Sequence, residues 1–134
     1  MLKLHSEVLT VAINRCLADA NISGLVGTKV YNFVDPNTSP PYLRVQLEEM
    51  SDMGDKSAQM TEGNLRFDYW TEAEGDKTVL DMINYLTDEF HQNELTLSNG
   101  STNLLMTRDS YNVFLEGDGD TRHGIVNFSI ILEN

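Results

Sequence analysis

The stretch "NLRFDYWTEAEGDKTVLDMINYL", residues 64–86, indicates the fold class because its apolar period changes halfway along. Its first seven residues alternate in character, which predicts a β-strand with one buried face and one solvated face. The predicted buried face carries Leu65, Phe67 and Tyr69, and the opposite face carries Arg66, Asp68 and Trp70. The first expectation is therefore a strand that leads through a short polar turn into a different kind of element.

After the turn "TEAEG", apolar side chains recur every three or four positions, which is the period of one helical face. This pattern predicts a helix within residues 76–91, and Asp76 is placed to cap it or to favour its positive end. The apolar positions are Val79, Met82, Ile83, Leu86 and Phe90. The same period near the start of the chain predicts another amphipathic helix over residues 2–20, ending near "DANISG" at 19–24.

Further strands are indicated between the two helices. "TKVYNF" at 28–33 is short, β-branched and aromatic, and it leads into the loop "VDPNTSPP" at 34–41, which contains all three prolines. "PYLRVQLEEM" at 41–50 alternates strictly and predicts a half-buried strand. The polar, aperiodic residues that follow predict a long mobile loop over about 48–63.

The rest of the chain has the pattern of antiparallel strands. "ELTLSNGST" at 94–102 contains Asn99-Gly100, a strong hairpin pair, and the strands "NLLMTRDSYNVFLE" and "GIVNFSIIL" follow. The order of elements predicts an α+β fold, a mainly antiparallel β-sheet with two α-helices packed on one face. A length of 134 residues and the absence of a linker predict a single domain over residues 1–134.

The net charge of −12 argues against one class of function, the binding of nucleic acid. It opposes binding to nucleic acid, because that affinity comes from Lys and Arg side chains that release counterions from phosphate. The single Cys16 cannot form an internal disulfide and indicates a reducing compartment. No run of residues is long and apolar enough for a membrane helix or a signal peptide, so we expect synthesis in a cytoplasm and no membrane partner.

The acidic stretch "EGDGDTRHG" at 116–124 is a candidate metal site. Glu116, Asp118 and Asp120 have the spacing of calcium ligands, but Thr121 stands where a calcium loop needs Gly and Asn127 where it needs Glu. The flanking segments are also strands instead of helices. The favoured interpretation is a hairpin turn, with these three acids as weak metal candidates only.

A catalytic site is not indicated either. The histidines at 5, 91 and 123 are spread along the chain, and no nucleophile motif or phosphate-binding glycine loop accompanies them. Arg122 and His123 beside three acids are interpreted as charge pairs on a turn. We therefore expect neither an enzyme nor a cofactor.

The order of the segments resembles the tail-completion, or tail-terminator, proteins of long-tailed bacteriophages and gene transfer agents. The residues that carry this resemblance are the opening helix, "GLVGTKVYNFV" at 24–34, "PPYLRV" at 40–45, a long polar loop, "LRFDYWTEAEGDKTVLDMINYL" at 65–86, "LTL" at 95–97 and "DGDTRHGIVNFSI" at 118–130. Each motif is short, and the resemblance depends on their occurring in this order along nearly the whole chain.

The resemblance implies a virion protein without catalysis, made in the host bacterial cytoplasm and located in the neck region of the tail. Copies would form a ring, commonly a hexamer, that caps the tail tube, ends its elongation and offers a docking surface to the head connector. The expected partners are thus the chain itself, the tail-tube protein and the connector or adaptor protein, while DNA passes through without specific binding. The predicted partner-contact residues lie in the two loops: Asp35, Asn37, Pro40, Met50, Met53, Asp55, Lys56 and Met60. Trp70, Arg122 and His123 are predicted as possible subunit contacts.

Two alternatives remain open from the sequence. One is a head-side closure or adaptor protein of the phage neck, and the other is a small acidic calcium-binding module built on the stretch at 116–120.

Overall fold

The computed structural model describes residues 5–52, 60–97 and 103–133. Within these residues the helices are α1 (His5–Ala18), α2 (Ala20–Val26) and α3 (Lys77–Phe90). The strands are β1 (Val30–Tyr31), β2 (Tyr42–Asp52), β3 (Met60–Thr71), β4 (Glu94–Thr96), β5 (Asn103–Leu115) and β6 (Arg122–Glu133). The predicted turn pair Asn99-Gly100 lies outside the described residues, as do Met53, Asp55 and Lys56.

The strands form one sheet in the order β1-β2-β3-β6-β5-β4. The short β1 pairs with β2 in parallel, and every other neighbouring pair is antiparallel. Helix α3 packs across β3, β5 and β6, while α1 packs on β1 and β2. The predicted α+β fold, a single domain with a mainly antiparallel sheet, is confirmed.

The core lies between the helices and one face of the sheet. Val8, Ala12 and Cys16 of α1 are fully buried at helical spacing. The rings of Phe67, Phe90 and Phe128 contact one another there, with centroids 5.2 to 6.1 Å apart. The alternation in β3 places Leu65, Phe67 and Tyr69 in this core, as predicted.

Strand β6 and helix α3 approach each other closely at Gly124. A Cβ atom added to Gly124 would lie 2.5 Å from Cγ1 of Val79. The glycine therefore sets the distance between the helix and the central strand.

The first helix ends at Ala18, close to the predicted end near 19–24, but a second helix that was not predicted follows it. Asp19 begins a second helix, because its Oδ1 accepts hydrogen bonds from the backbone N–H groups of Asn21 and Ile22 at 2.8 and 3.0 Å. Ile22 is fully buried, so α2 adds an apolar contact to the core. The structure thus has a third helix on the covered face.

The predicted loop over 48–63 is wrong in its bounds. β2 continues to Asp52 and β3 begins at Met60, with Glu48 opposite Asn64 and Asp52 opposite Thr61. The register shifts between Glu48 and Ser51 because of a bulge, at which Glu49 has a φ of 48°. The extra residue breaks the alternation that would otherwise have marked this segment as a strand. Met50 and Met60, which were assigned to the loop, are half-buried strand residues.

Asp76 occupies the cap position of α3 but makes no capping hydrogen bond with its side chain. Its carboxylate instead accepts a hydrogen bond from Nη1 of Arg122 at 3.0 Å, which ties the helix start to β6. Among the described helices, none has the length and apolar character needed to cross a membrane.

Candidate functional site

A row of four rings crosses the sheet on the face opposite the helices. Tyr42, Trp70, His123 and Phe114 stand opposite one another on β2, β3, β6 and β5. Their neighbouring ring centroids are 5.0, 4.3 and 4.7 Å apart, and Trp70 stacks on His123 with an interplanar angle of 19°. We call these four residues the aromatic row. Sequence alternation placed Trp70 on this face, and the strand register adds the other three rings.

Beneath the row lies a buried carboxylate. Asp68 is fully buried although it belongs to the polar face of β3. Its oxygens accept hydrogen bonds from Arg44 at 2.8 Å and from Arg66 at 2.6 and 3.0 Å, and Nε2 of His123 lies 3.0 Å away. We call Asp68 with Arg44, Arg66 and His123 the Asp68 cluster. It links β2, β3 and β6 on the open face.

The pKa of Asp68 reflects two opposing influences. Burial is the largest single influence and acts to raise the pKa, because a low dielectric disfavours the charged form. The hydrogen bonds from His123 and Arg66, together with the charges of the two arginines, outweigh it and leave the pKa of Asp68 below its usual value. The carboxylate is therefore ionised at neutral pH and holds the two guanidinium groups in place.

His123 connects this cluster to the β5–β6 turn. Its Nδ1 lies 2.8 Å from Oε1 of Glu116, while its Nε2 faces Asp68. A neutral imidazole has only one N–H group, so the imidazolium is the form that can donate to both carboxylates. Glu116 also accepts a hydrogen bond from Nε1 of Trp70 at 3.3 Å. These contacts fix the start of the turn against the sheet.

The exposed surface of the site combines aromatic and guanidinium groups. The side chains of Arg44 and Arg66 are 28% and 29% exposed. Arg44 lies over the Trp70 ring at 5.0 Å, a cation–π arrangement. Planar aromatic rings and arginines are the groups enriched in protein–protein contacts, so this surface suits a protein partner.

The stretch at 116–121 is a turn between β5 and β6, as predicted. Asp118 accepts hydrogen bonds from the backbone N–H groups of Thr121 and Asp120 and from the Thr121 hydroxyl, at 2.7 to 2.9 Å. The hydrogen bonds from Thr121 are the main cause of a pKa of Asp118 below its usual value. Asp118 is therefore engaged in the turn, and Glu116 is directed to Trp70 and His123.

The weak metal candidates consequently do not converge. Within 5–52, 60–97 and 103–133, no group of three His, Cys, Asp or Glu side chains is placed to hold a metal ion. Asp120 is exposed and lines an open cleft of about 480 Å³ with Glu72, Glu74 and Arg122.

The predicted contact residues that the structure describes lie in the connection before β2 and in the strands β2 and β3. Asp35, Asn37 and Pro40 lie in the connection between β1 and β2, where Oδ1 of Asp35 accepts a hydrogen bond from the backbone of Asn37 at 2.9 Å. This connection enters β2 at Tyr42, beside the aromatic row. Residues 53–59 follow the opposite end of β2.

The three predicted subunit-contact residues differ in exposure. Trp70 and Arg122 are half-buried, whereas His123 is only 6% exposed and uses both ring nitrogens within the chain. A neighbouring subunit at this position would therefore contact the more exposed residues around His123 and not its ring. Their role in assembly stays a prediction.

Sequence reasoning missed the Asp68 cluster and Phe114. Alternation predicts a solvated face for Arg66 and Asp68, and the burial of Asp68 follows only from the β2–β3 register, which places Arg44 opposite it. Phe114 was missed although the predicted hairpin turn at 116–121 pairs it with His123 on the neighbouring strand, and that pairing was a usable signal.

Known proteins match the chain in fold and in family. A chain in a structure described as the virion of a native gene transfer agent particle is similar over 100% of both chains, with a TM-score of 0.85 and 21% sequence identity. Among curated proteins, no sequence gives a significant match. The family model described as tail completion protein gp17 matches residues 12–133. Because that match spans most of the sequence, the chain belongs to the tail completion protein gp17 family.

Proposed function

We propose that this structural protein of the virion tail forms a homo-oligomeric ring, as a hexamer, that caps the tail tube. The ring ends tail elongation, offers the docking surface for the head connector and performs no catalysis. The observation that carries the proposal is the family match over residues 12–133. The similar chain in the gene transfer agent virion supports it, since that chain is itself part of a virion.

The order of the two predicted contact segments along the chain supports a role between two partners. One segment enters the 11-residue strand β2 at Tyr42, and residues 53–59 follow its last residue, Asp52, in the sequence. At about 3.3 Å per residue, such a strand separates its ends by roughly 35 Å. One end can therefore face the tail-tube protein while the other faces the connector.

The charge of the chain supports a passage for DNA. Six copies at −12 each carry −72 formal charges. Any share of this charge that lines the bore repels a polyanion and prevents it from adhering. DNA would then pass through the ring without specific binding.

The test is the mass of the purified protein by light scattering, alone and after mixing with assembled tail tubes, followed by electron microscopy of the tube ends. We expect a ring of six copies, in solution or at a tube end. A protein that remains monomeric and never joins tubes would contradict the proposal. Binding to the isolated connector instead of tubes would favour the head-side adaptor.

The calcium-binding alternative is tested by thermal melts with and without calcium. A ligand that binds only the folded state must raise the melting temperature. We expect no shift, because the Asp118 carboxylate already accepts hydrogen bonds within the turn.

A further inference from the structure

Exposed apolar side chains concentrate on strand β5. Four of the seven large hydrophobic side chains that are exposed among the described residues belong to it: Leu105, Tyr111, Phe114 and Leu115. Tyr111 and Leu115 are each 48% exposed, and Phe114 is 42% exposed. Tyr111 and Leu115 share one face of β5, since side chains alternate along a strand, and we call these two residues the β5 patch.

This part of β5 is also an open edge. β4 pairs only with Asn103–Leu105, and the end of α3 covers the next residues through hydrogen bonds to Met106 and Arg108. No strand in the described part of the chain pairs with the outer edge of residues 109–115. Stable monomers usually shorten, charge or cover such an edge, so an uncovered apolar edge indicates a partner.

The opposite edge of the same sheet carries the most exposed large apolar side chain. Phe33 is 80% exposed and follows the edge strand β1 by two residues. We call residues 30–34, "VYNFV", the Phe33 segment. The sheet order places β1 at one edge, whereas β5 lies toward the other and is covered there only by the three-residue β4.

Both segments lack charged residues of their own in a strongly acidic molecule, and the charged group stacked on the patch is a cation, Arg108, whose guanidinium lies over the Tyr111 ring at 5.0 Å. Residues 110–115 and residues 30–34 contain no Asp, Glu, Lys or Arg, while the whole chain has a net charge of −12. Identical copies of such a chain repel each other, and the repulsion is least where uncharged segments meet. The charge pattern therefore favours a second copy of this chain as the occupant, with one uncharged segment against the other.

We infer that the Phe33 segment of one subunit docks on the β5 patch of the next. The inference rests on the proposed ring and specifies its subunit interface. Two different surfaces on opposite edges of one sheet form a head-to-tail contact, and such a contact closes into a ring when the rotation between subunits permits. Phe33 is the central apolar anchor, and its ring is covered only in the assembly.

The test compares four variants, each of which replaces exposed apolar side chains by serine. F33S removes the anchor, and the double variant Y111S/L115S removes the patch without touching the aromatic row. L17S and L80S are the controls, since Leu17 and Leu80 are 37% and 41% exposed on the helices. Thermal melts first establish that each variant folds like the wild type.

Assembly is then measured by sedimentation velocity over a concentration series, and at tube ends by electron microscopy. F33S and Y111S/L115S should each need at least about tenfold more protein for half-assembly, the usual effect of losing a central anchor, while both controls should match the wild type. If F33S assembles like the wild type, the inference is wrong and the ring proposal stands. If wild-type protein assembles neither alone nor on tubes, the ring proposal fails and the inference fails with it.

A mixture of the two defective variants tests the head-to-tail geometry. The F33S copy keeps its patch and the Y111S/L115S copy keeps its Phe33, so one interface per pair remains intact. The mixture should therefore yield dimers at a concentration where neither variant assembles alone. Failure of the mixture to yield any complex, at concentrations where wild-type protein assembles, would overturn the head-to-tail pairing.

Discussion

Substituting Asp68 by Asn tests whether the buried carboxylate holds the open face of the sheet together. The carboxylate accepts hydrogen bonds from two arginines and lies 3.0 Å from Nε2 of a nearly buried histidine. Asn keeps the size of the side chain but removes its charge, and one of its two terminal atoms becomes a donor that faces other donors. The change thus isolates the electrostatic contribution of Asp68.

The expected loss follows from what remains buried after the substitution. Removing one partner of a buried charge network costs about 3–5 kcal/mol. Here Arg44 and Arg66 are 28% and 29% exposed and can regain water, whereas the side chain of His123 is only 8% exposed. We therefore expect the lower end, about 3 kcal/mol. With an unfolding entropy of about 2.1 cal/mol/K per residue, this loss lowers the melting temperature by roughly 10 °C.

The assay is urea unfolding followed by circular dichroism and by the fluorescence of the single tryptophan, Trp70. Asp81→Asn is the matched control, because Asp81 pairs with the exposed Lys77 on the surface of α3 and should contribute little. A loss of unfolding free energy below about 1 kcal/mol for Asp68→Asn would refute the reasoning. It would mean that the neighbouring side chains rearrange so that no buried charge is left without a partner.

Three further predictions concern single groups. The pKa of Asp68 is lower in the folded protein than in the unfolded chain, so the ionised carboxylate stabilises the fold above about pH 4, and this stabilisation is lost as the pH falls through the folded pKa. In urea titrations, the difference in unfolding free energy between wild type and Asp68→Asn should therefore stay constant from pH 5 to 7 and shrink below about pH 4. Gly124→Ala should destabilise the fold by about 1–3 kcal/mol, because the added methyl group clashes with Val79. Gly24→Ala, which has open space around the added methyl group, should not destabilise it. Equal melting temperatures for the two variants would contradict this prediction. Burial, aided by the charges of Glu89 and Asp19, raises the pKa of the Cys16 thiol, so a thiol reagent should label native protein slowly and unfolded protein fully; rapid labelling of the native state would show that α1 opens readily.

The fold was predictable where the chain keeps a strict period. β3 alternates strictly between apolar and polar residues over residues 65–69, and α3 keeps a strict helical repeat. The bounds of α3 agree closely with the predicted helix within residues 76–91, whereas β3 begins earlier than predicted. Prediction failed at Asp19, where a capping side chain restarts a helix within a segment rich in helix-breaking residues. It failed again at Glu49, because one inserted residue shifts every later side chain to the other face.

The candidate site was predictable only in part, for a related reason. Sequence alternation places Trp70 on the open face, but the partners of that ring come from strands far away in the chain. His123 reaches Trp70 only through the β3–β6 register, and Tyr42 reaches it only through the β2–β3 register. The burial of Asp68 likewise depends on two arginines and on rings from neighbouring strands. A local pattern carries no information on such distant pairings.

The position of β6 between β3 and β5 has a consequence for the kinetics of folding. In the β3–β6 ladder, Thr71 pairs with Arg122 and Met60 pairs with Glu133, so each pair joins residues far apart in the sequence. Loops of this length close slowly, and domains dominated by such distant pairings fold in milliseconds to seconds. Until β6 inserts, β3 and β5 each present an unpaired apolar edge, which is the form of a chain most prone to aggregate. High yields of native protein therefore depend on a low concentration of partly folded chains until β6 has paired with β3 and β5.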